Sequence, residues 1–182
     1  MNKLLVVVDM QNDFIDGALG SQQAQDIVDK VCEKIRTWDG VVAYTMDTHT
    51  PADYPITTEG KDLPVPHCMI GSDGWQMNSK VHDAISKRNK HADDMQYFGY
   101  EKSCFGSFSL VACVGDQFDY VELIGLCTDV CVISNAILLR NWKDNMEVVV
   151  DASCCAGVTP ESHKIALEAM KNCGVHVIND VK

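Results

Sequence analysis

Apolar positions along the chain fall into two alternating patterns, unbroken short runs and stripes at helical spacing. Residues 3–8, Lys-Leu-Leu-Val-Val-Val, are apolar without polar alternation, as in a strand buried on both faces of a parallel sheet. Ser21 then precedes a stripe of Ile27, Val28, Val31, Ile35 and Trp38, which predicts a capped helix over about 22–38. Asp39-Gly40 ends it, and Val41–Met46 reads as a second strand. Asn78 to Arg88 reads as a short helix, Asp94 to Tyr100 as a weaker strand, 119–125 as a strand and about 129–143 as a helix. Glu147 to Val150 is a strand ending at Asp151, and Val175–Ile178 is the last strand. Between them Thr159-Pro160-Glu161 opens a helix, with proline at its first turn, that runs to Asn172.

Strands alternating with helices predict an α/β fold, a three-layer, doubly wound, mostly parallel six-stranded sheet. With 182 residues, 46% of them hydrophobic, the chain suits a single domain over 1–182. The first strand-to-helix turn lacks Gly-x-Gly-x-x-Gly and there is no Walker loop, so dinucleotide and triphosphate sites have no support. Residues 47–75 hold four of the five prolines, at 51, 55, 64 and 66, and little periodicity; a loop of that length is usually functional.

The formal charge of −11 repels nucleic acid and anionic membrane, so neither is an expected partner. No apolar run reaches the roughly 20 residues of a membrane span, and the N-terminal run is too short for a signal segment, so a cytoplasmic location is expected. Nine scattered cysteines do not form a secreted disulfide framework, and reduced thiols fit best. A redox pair at Cys127 and Cys131, or at Cys154 and Cys155, is a subsidiary reading.

Candidate chemistry centres on Tyr120–Val132, where a strand breaks at Gly125 and turns through Leu126-Cys127-Thr128-Asp129 into a helix. A cysteine in the first helical turn faces unpaired N–H groups and the positive end of the macrodipole, a field expected to favour thiolate. Cys131 is thus a nucleophile candidate; the plain alternative is a small core residue. Ligands of such sheets bind beyond the carboxyl ends of the strands, where Asp9, Asp47 and Lys102 also fall. Carboxylate, ammonium and thiol at one crest suit nucleophilic catalysis, although singly Asp9 reads equally as a cap and Lys102 as a solvated lysine. Asp47 and His49, with Glu59 and His67 further along the loop, are a loosely spaced ligand set for zinc, manganese or iron(II). His82, His91, His163 and His176 show no partner pattern.

Val8-Asp9-Met-Gln-Asn-Asp-Phe14, Asp47-Thr-His49, Pro66-His67-Cys-Met-Ile-Gly71, Lys102-Ser-Cys-Phe-Gly106 and Gly125-Leu-Cys-Thr-Asp-Val-Cys131-Val resemble blocks of the isochorismatase-like cysteine hydrolases, most closely their nicotinamidase branch. The blocks occur in family order from residue 3 to about 178. The resemblance implies a triad of Asp9, Lys102 and Cys131, and an oxyanion hole from the N–H groups of Cys127 and Cys131, with a cis peptide between Leu126 and Cys127. It implies one divalent metal ion on Asp47, His49 and His67. Glu59 stands in for a histidine that some relatives carry in that loop. Phe14 matches one wall of a ring pocket, or else is core. Pro64 replaces an aromatic residue that forms another wall in some nicotinamidases. The expected activity is hydrolysis of a small primary amide, nicotinamide to nicotinate and ammonia, by a homo-oligomer. The alternatives are a carbamoyl, ureido or other aromatic amide substrate, or a non-catalytic binding module on the same fold.

Overall fold

The computed structural model describes residues 2–89 and 98–180. Its strands are β1 (Lys3–Val8), β2 (Val41–Asp47), β3 (Phe98–Lys102), β4 (Tyr120–Leu126), β5 (Glu147–Ala156) and β6 (His176–Ile178). They form one sheet in the order β3-β2-β1-β4-β5-β6. Every neighbouring pair is parallel, which sharpens the expectation of a mostly parallel sheet. One half winds outward from β1 to β3 and the other from β4 to β6. The carboxyl ends of β1 and β4 therefore flank the switch point where such sheets open a ligand crevice.

The unbroken apolar run of β1 serves two cores at once. Leu4, Val6 and Val8 face one cluster, with Leu110, Leu139, Leu167 and Met170. These come from α5 (Phe108–Val114), α6 (Ile133–Arg140) and α7 (Pro160–Asn172). Leu5 and Val7 face the other cluster, with Ile27, Val31, Ile35, Val81 and Ile85. These come from α2 (Gln22–Thr37) and α4 (Ser79–Asn89). Two short helices, α1 (Asn12–Ile15) and α3 (Thr58–Asp62), lie in the loops that follow β1 and β2. The expected caps form: Ser21 accepts from Ala24 N–H at 3.1 Å, and Thr159 and Ser162 make a reciprocal capping box. No described helix is long and apolar enough to cross a membrane.

The elements depart from expectation as follows, and one expected strand is described only in part. Helix α5 follows Ser107, which caps it, and has no counterpart in the sequence reading. Strand β5 does not stop at Asp151 but runs on to Ala156, burying Cys154 and Cys155 within the sheet. The helix expected over about 129–143 is divided into a π-turn over Thr128–Val132 and then α6. Strand β3 starts at Phe98, while positions 94–97 of the expected strand, and His91, lie outside the described residues.

Asp151 stays inside the sheet because it is paired. Lys34 of α2 reaches its Oδ2 at 2.9 Å and Glu122 of β4 at 2.5 Å. Ser153 and Asn179 side chains also donate to Asp151. Burial raises the Asp151 pKa, but the hydrogen bonds from Lys34, Ser153 and Asn179 outweigh it and hold the group below its usual value. A depressed carboxylate stabilises the fold above its unfolded pKa and loses that contribution as pH falls through the folded value. Lys34→Met is expected to cost about 2–3 kcal/mol at neutral pH, because it strands two buried carboxylates. In urea melts against pH, that difference from wild type should shrink below about pH 4. A difference that does not change with pH would remove the ion pair as its cause.

Candidate active site

Asp9 follows β1 directly, in a left-handed backbone conformation with φ 45°. Thr45 of β2 donates its hydroxyl to Asp9 Oδ1 at 2.6 Å, and Asp9 N–H donates to the Thr45 carbonyl. Lys102 is the last residue of the edge strand β3, in register with Asp47. Its side chain crosses beneath β2, so its Nζ lies 2.7 Å from Asp9 Oδ2 and 3.4 Å from Asp47 Oδ1. The same ammonium is 3.5 Å from Cys131 Sγ. Asp9, Lys102 and Cys131 thus meet across three strand ends, all buried.

The turn carrying Cys131 depends on glycine. Gly125 has φ +117°, and a Cβ there would lie 2.2 Å from the Val8 carbonyl oxygen. Only glycine lets β4 come so close to β1 at the crest. The Leu126–Cys127 peptide is cis. The Cys127 carbonyl then accepts from Val130 N–H and, with a π-type reach, from Val132 N–H at 3.0 Å, passing over Cys131. Cys127 lines the cleft beside Cys131. Asn135 ties the turn from below, donating to the Cys131 carbonyl at 2.8 Å.

The charge state of the sulfur differs from expectation. Burial, and next to it the Asp9 charge, push the Cys131 thiol well above its ordinary pKa, against the opposing pull of Lys102. Beside Asp9 this shift favours the thiol over the thiolate. Burial also raises Asp9 above the usual carboxylate value, despite the Lys102 charge, which makes it a better proton acceptor. Burial disfavours the Lys102 ammonium, but the Asp9 charge beside it, with that of Asp47, outweighs burial and holds the group well above its ordinary value.

Asp47, His49, Glu59 and His67 present one donor atom each, all within 4.8 Å of one another. His49 Nε2 is 3.0 Å and His67 Nε2 3.4 Å from Asp47 Oδ2. Glu59 Oε1, on α3, is 3.4 Å from His67 Nε2 and 3.7 Å from His49 Nε2. The loop brings these together by a short parallel bridge, in which His49 N–H donates to the Cys68 carbonyl and Ile70 N–H to that of His49. His67 Nδ1 bonds the Val65 carbonyl at 2.9 Å and so carries the proton, leaving Nε2 turned to the cluster. Burial disfavours imidazolium there, yet the hydrogen bonds to Asp47, Glu59 and the Val65 carbonyl lift His67 to about 10. The cluster calls for positive charge, and two imidazoles with two carboxylates are a fitting donor set for a divalent transition ion.

Beyond Thr45 and Asn135, four more supporting residues were not singled out from the sequence as part of the site. Gln11, fully buried, donates to the carbonyls of Asp47 and Trp75 at 2.8 and 2.9 Å and accepts from Asp47 N–H at 2.7 Å. Asp13 Oδ2 accepts from Cys68 N–H at 2.7 Å, beside His67. Tyr54 packs on His49 and His67, at centroid distances of 4.7 and 5.2 Å, as Phe14 does on His67 at 5.5 Å. His163, read as lacking a partner, bonds the Thr128 hydroxyl at 2.8 Å. The alternating Asp9-x-Gln11-x-Asp13 spacing was the available signal for Gln11 and Asp13.

A cleft of about 760 Å³ opens over this crest, lined at its inner end by Phe14, Asp47, Glu59, His67, Cys127 and Cys131. A nucleophile-type thiol and a ligand cluster under one cleft, at the switch point of a parallel sheet, mark a small-molecule hydrolase. The isochorismatase domain family matches residues 3–180, and the chain belongs to that family. The pyrazinamidase/nicotinamidase structure from Streptococcus mutans matches with a TM-score of 0.82 at 28% identity, covering 97% of this chain and 100% of that one. Bacillus subtilis nicotinamidase/pyrazinamidase PncA matches with a TM-score of 0.78 at 28% identity, covering 97% and 99%. Pyrococcus horikoshii pyrazinamidase, solved in complex with zinc, matches with a TM-score of 0.77 at 25% identity, covering 98% and 99%. These relatives place the chain among hydrolases of carbon–nitrogen amide bonds.

Gln11 grips both backbone groups of Asp47. Gln11→Leu leaves them unbonded in a dry setting and is expected to weaken zinc binding by about 10–100-fold. Competition with a chromogenic chelator reads this directly, and unchanged affinity would reject the clamp.

Proposed function

We propose that the chain hydrolyses nicotinamide to nicotinate and ammonia through a thioester on Cys131. The observation that carries the reading is the single ammonium, Lys102, lying 2.7 Å from Asp9 and 3.5 Å from the Cys131 sulfur. The nicotinamidase relatives support the substrate, and so does the cleft, whose lining among the described residues includes no lysine or arginine. Such a lining suits a neutral amide and opposes an anion.

Asp9 takes the thiol proton as Sγ attacks the amide carbon, and Lys102 offsets the negative charge that passes to sulfur. The carbonyl oxygen gains charge facing the N–H groups of Cys127 and Cys131 at the start of the π-turn. Protonated Asp9 gives its proton to the departing nitrogen, which leaves as ammonia. Asp9 then takes a proton from water as that water attacks the thioester, releasing the carboxylic acid and returning the thiol. Asp47, His49, Glu59 and His67 would hold a divalent metal ion. When bound, that ion supplies a Lewis-acidic anchor beside the ring site. Phe14, nearly buried at the inner end, gives the ring an apolar wall.

Cys131→Ala in metal-loaded protein is expected to abolish ammonia release from nicotinamide while metal content, by elemental analysis, stays at the wild-type level. Asp9→Asn is expected to lower kcat by about 10²–10⁴-fold. Substantial turnover by either variant would overturn the thioester route.

A further inference from the structure

The cleft exceeds what a single ring with one carboxamide needs. Its volume of about 760 Å³ falls within the roughly 300–1,000 Å³ of sites that enclose drug-sized molecules. The reactive groups are confined to the inner end. Among the exposed lining residues, Leu63, Phe105 and Val158 are apolar and stand beside Thr58, Asp62, Ser103 and Cys104, while Leu19 and Val130 are half-buried. Leu63, Phe105 and Val158 are 37%, 44% and 61% exposed, so apolar surface frames the mouth.

That frame is held in place from behind. The Tyr54 hydroxyl donates to the Leu63 carbonyl at 2.6 Å. Asn135, which also holds the nucleophile turn, donates to the Phe105 carbonyl at 3.2 Å. Asp129, in the same turn, accepts from Val158 N–H at 3.0 Å. Residues that order the reacting centre therefore also fix the apolar rim, so inner and outer ends form one preorganised cavity. Its carboxylates, Asp62 and Glu59 among them, have no lysine or arginine beside them in the lining.

We propose that the outer end is a subsite for an apolar substituent. The substrate class is then neutral aromatic primary amides carrying an apolar extension, with nicotinamide its smallest member. This rests on the amidohydrolase reading above. The Asp62 carboxylate, outside the ligand cluster, disfavours an anionic extension, and a neutral apolar one gains by leaving water.

The test uses metal-loaded protein and nicotinamides bearing methyl, propyl, phenyl or carboxylate groups at each free ring position. Ammonia release is measured with wild type, and dissociation constants by calorimetry with Cys131→Ala. At one ring position at least, kcat/KM should rise about fourfold per buried methylene, with dissociation constants falling in step. The carboxylate derivatives should be poor at every position. Val158→Ser and Leu63→Ser should each lower the kcat/KM ratio of propyl to unsubstituted amide by about threefold or more. If nicotinamide is hydrolysed and every extended amide is slower and binds more weakly, the subsite is rejected while the amidohydrolase reading stands. If extended amides react and nicotinamide does not, the subsite holds and the smaller substrate is withdrawn. If no amide releases ammonia or binds Cys131→Ala, both readings fall together.

Discussion

One buried ammonium sets the charge balance on which the crest depends. Lys102 lies against two carboxylates and a sulfur in a region nearly closed to water. Lys102 alone cannot balance both Asp9 and Asp47, and each unmatched charge in such a place is costly. The imbalance is shared between two neighbouring devices. At Cys131 it adds to burial in favouring the protonated sulfur. Around His49 and His67 it creates a demand for positive charge that a divalent ion meets. Asp47 touches both, with one oxygen toward Lys102 and the other toward the imidazoles. The Asp9–Lys102–Cys131 group and the ligand cluster are therefore one electrostatic unit rather than two adjacent sites.

Parallel pairing makes that unit possible. Because all six strands run the same way, the residues after β1, β2, β3 and β4 emerge on one edge. Gly125 removes the one Cβ that would hold β4 away from β1. Gln11 and Thr45 then lock neighbouring strand ends together through side chains bonded to backbone or carboxylate. These are short, buried contacts that leave little freedom to the groups they hold.

Much of this was legible from residue order. Continuous apolar runs announced strands buried on both faces, and Ser21 and Thr159 marked helix starts with side chains that do cap. The residues of the crest were named because each follows a strand, and the geometry gathers Asp9, Lys102 and Cys131, with Asp47, His49, Glu59 and His67 beside them. What escaped was what depends on tertiary pairing. Asp151 looked like a strand end because an isolated charge should not enter a sheet, and Lys34, distant in sequence, is what allows it. Helix α5 was passed over because a two-turn segment in a glycine-flanked stretch carries little periodicity. The sulfur was expected to be ionised by the helix-start field and the neighbouring cation, whereas full burial, with Asp9 next to it, shifts the group the other way. Gln11 shows no charge and no nucleophilicity, so only its bonds to Asp47 reveal its part.

Lys102 closes β3, which among the described residues has β2 as its one neighbour in the sheet. Edge strands open more readily than central ones, since fewer backbone bonds must break. Any excursion that lifts the end of β3 carries the cation out with it and strands two carboxylates in a dry crest. The electrostatic cost of that excursion opposes it, so the same ion pair that equips the crest for chemistry also clasps the rim of the sheet. Fraying there would part Lys102 from Asp9 and Cys131 in the same event, so the centre of the crest depends on the margin of the sheet.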